Sequence, residues 1–334
     1  RYIRGGVVEP RSRKEINRLL FFHHSIHQNS RWENETLALE NSIELRDDFS
    51  LRGRCEMFRV NLDSMVAAHQ LHQGSNLRGH LVWARYQHFQ RLLCIRNVPT
   101  EPEDDEILQF FRDTNDPDLY MERNAMSRSE FRKLVSPLVR SGHLIQDYRG
   151  GFRTVEPLRK IDLWEVKRNY LRKLVEDYPV ITLKQVERLA GASFTPEEIS
   201  DVMHDFEDDG TLIKGFLVDD LQDICWGRLD MLEGVGKISR TRDLVIPPSD
   251  PLIHYFGSLL RERFGFGSAY LVFHKEEPIA AFKANTRNDK IELTDFVGDS
   301  ELEKEAIRVM KEFAWEHDMP LSGKLFDRIR SRIV

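Results

Sequence analysis

At 334 residues, with 40% hydrophobic and 31% charged side chains, the chain is long enough for two or three globular domains. Its apolar runs fall well short of the ~20 residues that cross a bilayer, and three scattered cysteines argue against a disulfide framework or a four-cysteine zinc site. The net charge of −6 conceals a basic stretch at 121–180 (13 basic, 8 acidic) and an acidic one at 181–240 (6 basic, 13 acidic), so it does not exclude a nucleic-acid-binding surface.

The first hundred residues carry two helical patterns, at 11–29 and 79–94, and one strand-like run at 57–60. The first pattern contains three neighbouring histidines: His23, His24 and His27. Because no cysteine or carboxylate lies at ligand spacing from them, we predict no metal site. We treat residues 1–100 as an N-terminal helical region.

Residues 104–156 carry the signals of a winged helix. Two helices, a strand, a glycine turn and a return strand follow one another: 104–113, 127–141, 143–147, 149–151 and 152–155. Ser127 with Glu130 forms a capping box at the start of the second helix, and Gly142 stands where a C-cap glycine belongs. We therefore predict a first winged helix within the bounds 101–157.

The same order of signals repeats at 162–218. The predicted elements are a helix, a strand, two helices and a strand: 162–177, 180–182, 183–189, 195–209 and 211–217. Thr195 as N-cap, Pro196 in the first turn and Glu198 three residues on mark the start of the last helix. We predict a second winged helix within 158–240.

The remaining residues, 241–334, change character. A helix at 251–264 precedes three strand-like runs joined by short turns, and a long helix at 300–317 covers them. The three runs are 269–274, 278–284 and 290–296. The predicted fold class is therefore α+β and mostly helical, with tandem winged helices followed by a small module of antiparallel sheet and helix.

Charge distinguishes the two predicted winged helices. The third helix and wing of the first carry six basic side chains, our candidates for phosphate contacts: Arg128, Arg132, Lys133, Arg140, Arg149 and Arg153. The equivalent helix of the second carries seven acidic ones: Glu197, Glu198, Asp201, Asp205, Glu207, Asp208 and Asp209. We expect the second unit to act as a packing partner. A solvated helix face is the alternative explanation of the basic cluster.

The sequence VNLDSM at 60–65 resembles the amide–aliphatic–aspartate–serine motif of the AlkZ/YcaQ-type DNA glycosylases. The resemblance continues through the tandem winged helices, the segment 246–252, the triplet 264–266 and the closing strands and helix, and covers 57–84 and 104–320. It implies that Asp63 orients or deprotonates water and that Asn61 helps to hold it. Asn61 replaces the family's glutamine, which shortens the side chain by about 1.5 Å.

Two other interpretations of these residues stay open. Asn61 and Asp63 also suit a cap or turn near a helix start. Gln70 and Gln73 form a second amide pair, which is a weaker candidate site.

Two functions therefore compete, and the sequence leaves it uncertain whether the protein is an enzyme. The resemblance implies a DNA glycosylase that hydrolyses the N-glycosidic bond of alkylated or crosslinked bases without a metal or a cofactor. The alternative is a winged-helix DNA-binding protein without catalysis, such as a transcription regulator or an accessory module of a repair helicase. In both cases we expect double-stranded DNA as partner, no membrane partner and a cytoplasmic location. Because the chain starts at Arg1 and not at Met, we also expect a preceding segment to be missing.

Overall fold

The computed structural model describes residues 2–3, 6–7, 9–24, 44, 46, 50, 62–176, 178–219, 221–238, 242–287 and 289–333. A short antiparallel pair, β1 (Tyr2–Ile3) and β2 (Gly6–Val7), precedes helix α1 (Arg13–His23). Ser12 caps α1 with Glu15, and the apolar face of α1 is buried. The helix predicted at 11–29 is confirmed over 13–23, while the strand predicted at 57–60 and Asn61 lie outside the described residues.

The next elements are a helix, a hairpin and a second helix: α2 (Leu62–His69), β3 (His72–Ser75), β4 (Leu81–Ala84) and α3 (Tyr86–Arg96). The prediction of one helix over 79–94 is wrong in its first part, because 81–84 pairs antiparallel with β3. Asn76 builds the turn by accepting hydrogen bonds from the backbone of Arg78 and His80, and Gly79 adopts a positive φ of 78°. The helix therefore starts only after Arg85.

The first predicted unit has the element order of a winged helix. It contains α4 (Asp105–Asp113), α5 (Pro117–Arg123), α6 (Arg128–Ser141), β5 (Leu144–Asp147) and β6 (Phe152–Thr154). The capping box at Ser127 and the left-handed Gly142 are confirmed. Helix α5, capped by Asp116, was not predicted. Strand β5 also pairs with β3, which makes a four-stranded sheet in the order β4–β3–β5–β6.

The second unit also has three helices followed by two strands, but it carries an additional strand after its first helix and has its own three-stranded sheet. It contains α7 (Leu163–Glu176), β7 (Val180–Thr182), α8 (Leu183–Ala190), α9 (Pro196–Asp208), β8 (Ile213–Gly215) and β9 (Cys225–Gly227), followed by α10 (Leu229–Gly234). The sheet is antiparallel in the order β7–β9–β8. Capping boxes at Thr182 and Thr195 fix the starts of α8 and α9, as the sequence predicts for Thr195.

The C-terminal part is a five-stranded sheet with helices against it. Its elements are β10 (Leu244–Ile246), α11 (Gly257–Phe264), β11 (Tyr270–His274), β12 (Glu277–Arg287), β13 (Lys290–Gly298), α12 (Glu303–Glu316), β14 (Leu321–Ser322) and α13 (Lys324–Ile333). The three predicted strands are confirmed. The edge strands β10 and β14 and helix α13 were missed, and the helix predicted at 251–264 is a 3-10 turn followed by α11.

One large apolar cluster connects the N-terminal elements, the second unit and the C-terminal sheet. Phe21 of α1 packs edge-on against Phe273 of β11 with ring centroids 4.9 Å apart, and Phe89 and Phe206 lie in the same cluster. The fold is α+β and mostly helical, as predicted. Among the helices that the structure describes, every one is too short or too polar to span a bilayer.

Candidate nucleic-acid interface

Helix α6 brings four of the six predicted phosphate contacts onto one exposed face. The apolar residues Phe131, Val135 and Leu138 are buried on one side of the helix, so the basic residues lie on the opposite, exposed side. The exposed face carries Arg128, Arg132, Lys133 and Arg140, with Ser129 and Ser136 between them. Positions four residues apart lie one above the other on a helix, so these side chains form a basic stripe, here called the α6 face.

The basic side chains of the α6 face make few contacts with other parts of the protein. Arg128 lies 3.8 Å from Asp118, and both side chains are largely exposed, so the attraction is weak. Within the described part of the chain, no acidic side chain pairs with Arg132 or Lys133. Arg140 donates a long hydrogen bond of 3.4 Å to the backbone of Ser136. The face is therefore positively charged and open to solvent.

The wing between β5 and β6 places Arg149 at an exposed turn. Its guanidinium stacks 5.1 Å from the ring centre of Tyr148 and donates to the Tyr148 hydroxyl at 2.7 Å. The carboxylate of Asp147 accepts hydrogen bonds from the backbone of Arg149 and Gly151, which holds the turn. A Cβ at Gly151 would lie 2.7 Å from the carbonyl oxygen of Asn115, so this close approach requires glycine.

Arg153 lies apart from the other five. Its neighbour Phe152 packs against Phe131 beneath α6, and adjacent residues of a strand point to opposite faces. The Arg153 guanidinium accordingly lies on the other face of the sheet, 4.1 Å from the ring centre of Tyr86. Burial is the main cause that lowers the pKa of His72 on β3, and the nearby charge of Arg153 lowers it further.

Acidic side chains of helix α9 in the second unit form ion pairs with basic side chains of α7. Three ion pairs connect the two helices: Lys167–Glu198 at 2.6 Å, Arg168–Asp205 at 3.2 Å and Arg172–Asp209 at 2.9 Å. These pairs give the acidic helix a structural explanation within its own unit.

Asp63 lies in the first turn of α2, with an exposed side chain. The helix is anchored by its buried side chains Leu62, Met65 and Val66. Asn61, the proposed companion of Asp63, falls outside the described residues. Gln70 is exposed in a left-handed turn after α2, and Gln73 lies in β3.

A buried carboxylate that the sequence did not reveal lies beside the turn of the β3–β4 hairpin. Glu44 is only 9% exposed and accepts a hydrogen bond from the amide of Asn76 at 2.7 Å. It also contacts the imidazole of His88 at 3.2 Å and lies 3.9 Å from Arg78. Burial by itself raises the pKa of Glu44, but His88, Arg78 and Asn76 together hold that pKa below its ordinary value. The carboxylate is therefore ionised at neutral pH.

Glu44, Asn76, His88 and Arg78 together are here called the Glu44 centre, and two further contacts lie close to it. His80 and His254 stack with ring centres 5.5 Å apart, and burial, with nearby Arg78, lowers the pKa of His254 to about 3. Arg46 donates to the carbonyl oxygen of Pro248 at 3.0 Å, so Glu44 contacts the hairpin turn while Arg46 contacts the segment before α11.

Arg96 connects the hairpin turn to α6. Its guanidinium donates to the carbonyl oxygens of Ser75 at 2.8 Å and Ser141 at 3.2 Å, and also to that of Asn76. Ser141 is the last residue of α6, and Asn76 binds Glu44. Among the described residues, no group of histidine, cysteine and carboxylate side chains is arranged to hold a metal ion.

Comparison with known proteins identifies the fold. No protein-family profile and no curated protein sequence matches the chain. The solved structure of Streptomyces sahachiroi DNA glycosylase AlkZ superposes with a TM-score of 0.66, covering 94% of this chain and 100% of that chain at 12% sequence identity. The chain therefore has an AlkZ/YcaQ-type fold, as the resemblance in the sequence predicted.

Proposed function

We propose that this protein binds double-stranded DNA through the α6 face and removes alkylated bases from it as a DNA glycosylase. The observation that carries the proposal is the open basic stripe of Arg128, Arg132, Lys133 and Arg140 on the third helix of the first unit. The likeness in fold to a DNA glycosylase supports it.

The α6 face suits the major groove of DNA. A helix fits that groove, and in winged-helix proteins the third helix occupies it while the wing meets the backbone or the minor groove. In this proposal, Arg149 and Tyr148 at the exposed wing make the second contact. Arg153 lies on the opposite face of the sheet, so in this proposal it contributes less than the other five basic residues.

The chemistry asked of the protein is modest. An alkylated base that carries a positive charge is already a good leaving group, so hydrolysis needs an oriented water and negative potential beside the sugar. Asp63, with Asn61, is the first candidate for this role. Glu44 is the second, because it is ionised and its position is fixed by three partners, whereas Asp63 is exposed.

Binding is tested by the salt dependence of DNA affinity. Each phosphate contact contributes a slope of about 0.9 in log K against log salt concentration. The double variant Arg132→Gln/Lys133→Gln should therefore lose about 1.8 of the slope. The control Lys304→Gln/Arg328→Gln removes two exposed charges elsewhere and should leave the slope unchanged. Equal slopes in the wild type and the first variant would refute the assignment of the α6 face.

Catalysis is tested by release of 7-methylguanine from methylated DNA. The proposal predicts release by the wild type and its loss in either Asp63→Asn or Glu44→Gln, which identifies the carboxylate that orients the water. Binding without release above background, at any excess of protein, would leave the alternative of a non-catalytic DNA-binding protein. Circular dichroism of both variants separates a lost reaction from a lost fold.

A further inference from the structure

Each winged unit exposes an aromatic ring directly after the first strand of its wing. Tyr148 follows β5 in the first unit and is 43% exposed, and Phe216 follows β8 in the second unit and is 46% exposed. Burying an aromatic side chain is strongly favourable, so a ring held in water at a wing is available for a ligand. The charges around the two rings differ, and they indicate which ring suits DNA.

The first wing carries a positive charge at its tip, whereas the second wing is acidic. Arg149 stacks 5.1 Å from the ring centre of Tyr148 and donates to its hydroxyl at 2.7 Å, so a guanidinium accompanies the ring. The segment 216–224 of the second wing contains three aspartates and no basic residue. The phosphates of DNA attract the first wing and repel the second. Of the two rings, Tyr148 is therefore the one whose surroundings match a polyanion.

The first wing holds Tyr148 in a fixed position. Asn115, in the loop before α5, donates from its amide to the Asp147 carboxylate at 3.2 Å, and its carbonyl oxygen accepts from the backbone of Phe152 at 3.0 Å. Asp147 in turn accepts from two backbone N–H groups of the turn. Both ends of the wing are thus tied to one loop of the same unit. A ring presented on such a turn needs little additional ordering when it binds.

The wing lies beside the α6 face. Phe152 at the end of the wing packs against Phe131 of α6, with ring centroids 5.6 Å apart. Tyr148 is four residues before Phe152, so the chain between their Cα atoms spans at most about 14 Å. The major groove of B-DNA is about 12 Å wide. A duplex that holds α6 in its major groove therefore brings the adjacent backbone and minor groove to the wing.

We propose that Tyr148 enters a bound duplex from the wing and stacks in the position of a missing or displaced base. The inference rests on the proposed DNA binding through the α6 face, and it adds the form of DNA that the wing selects. Taking a base out of the stack costs free energy, and an aromatic ring inserted at the gap restores part of the lost stacking. Arg149, held against the ring, then lies beside the phosphates that flank the gap.

The test compares the affinities for two duplexes at one salt concentration: an intact duplex and the same duplex with one tetrahydrofuran abasic site. The wild type should bind the abasic duplex about 10-fold more tightly, a preference within the range expected for one base–aromatic stack. Tyr148→Ser should abolish this preference, whereas Tyr148→Phe keeps the ring and should retain it. Phe216→Ser, at the equivalent position of the acidic wing, is the matched control and should leave the preference unchanged.

The outcomes separate this inference from the proposed function. Equal affinity of the wild type for both duplexes, with a salt dependence that still falls in Arg132→Gln/Lys133→Gln, would keep DNA binding by the α6 face and overturn the role of Tyr148. Equal loss of the preference in Tyr148→Phe and Tyr148→Ser would also overturn it, because the hydroxyl and not the ring would then be responsible. A wild type that binds neither duplex would overturn both proposals. Circular dichroism of the three single variants verifies that each is folded.

Discussion

Replacing Glu44 by glutamine keeps the size of a buried side chain and removes its charge. The glutamine oxygen can still accept from Asn76 at 2.7 Å, but the contact of the ionised carboxylate with His88 at 3.2 Å and its attraction to Arg78 at 3.9 Å are lost. A hydrogen bond to a charged group contributes about 1.5–3 kcal/mol, and breaking a buried ion pair costs about 3–5 kcal/mol. Because Asn76 is retained and Arg78 is distant, we expect Glu44→Gln to lower the free energy of unfolding by about 2–4 kcal/mol.

The control is Glu312→Gln, whose wild-type carboxylate lies only 2.7 Å from Arg308. That pair is closer than the Glu44 contacts with His88 and Arg78, but the Glu312 side chain is 53% exposed. Exposed pairs on one helix contribute about 0.3–0.5 kcal/mol, so this variant should scarcely change stability. Urea unfolding followed by circular dichroism measures both. Equal losses in the two variants would contradict the argument that burial sets the value of the contact.

The stability difference between the wild type and Glu44→Gln should also depend on pH. Since the folded state holds the pKa of Glu44 below its ordinary value, the ionised carboxylate stabilises the fold above the unfolded glutamate pKa of about 4.3. This stabilisation disappears as the pH falls through the lower pKa of the folded state. The difference between wild type and Glu44→Gln should be constant near neutral pH and shrink in acid. A difference that stays constant into acid would refute the assignment of the shift to Glu44.

Two further predictions concern packing and thiol chemistry. A Cβ at Gly74 would lie 2.7 Å from side-chain atoms of both Ile145 and Phe89, so Gly74→Ala should lower the free energy of unfolding by about 1–3 kcal/mol, measured with urea; an unchanged midpoint would show that the two side chains yield freely. Burial raises the pKa of the Cys225 thiol to about 11, so iodoacetamide at pH 8 should leave Cys225 unmodified until urea unfolds the chain, and rapid native labelling by peptide mapping would contradict this.

Much of the fold follows from local chemistry in the sequence. The capping boxes at Ser127 and Thr195 and the glycine at 142 are readable without any tertiary information, because each satisfies backbone groups within a few residues. The basic α6 face is equally predictable, since helical spacing alone puts Arg128 and Arg132 on one side.

The rest depends on partners that are distant in the chain. The run at 81–84 has an apolar pattern that suits a helix or a strand, and its pairing with β3, itself paired with β5, decides for the strand. Arg153 required the strand register before its face was known. Glu44 contacts Asn76 and His88, which are 32 and 44 residues away in the chain, so no local sequence pattern predicts the Glu44 centre.

Arg96 links the end of the α6 face to the β3–β4 hairpin turn. One guanidinium is bonded both to the last residue of α6 and to the hairpin turn whose asparagine holds Glu44. Gly142 leaves room for it, because a Cβ there would collide with the same guanidinium. If a duplex binds the α6 face as proposed, these hydrogen bonds connect the bound duplex to the turn that holds the buried carboxylate. Substitution of Arg96 removes this connection without changing any basic side chain of the α6 face.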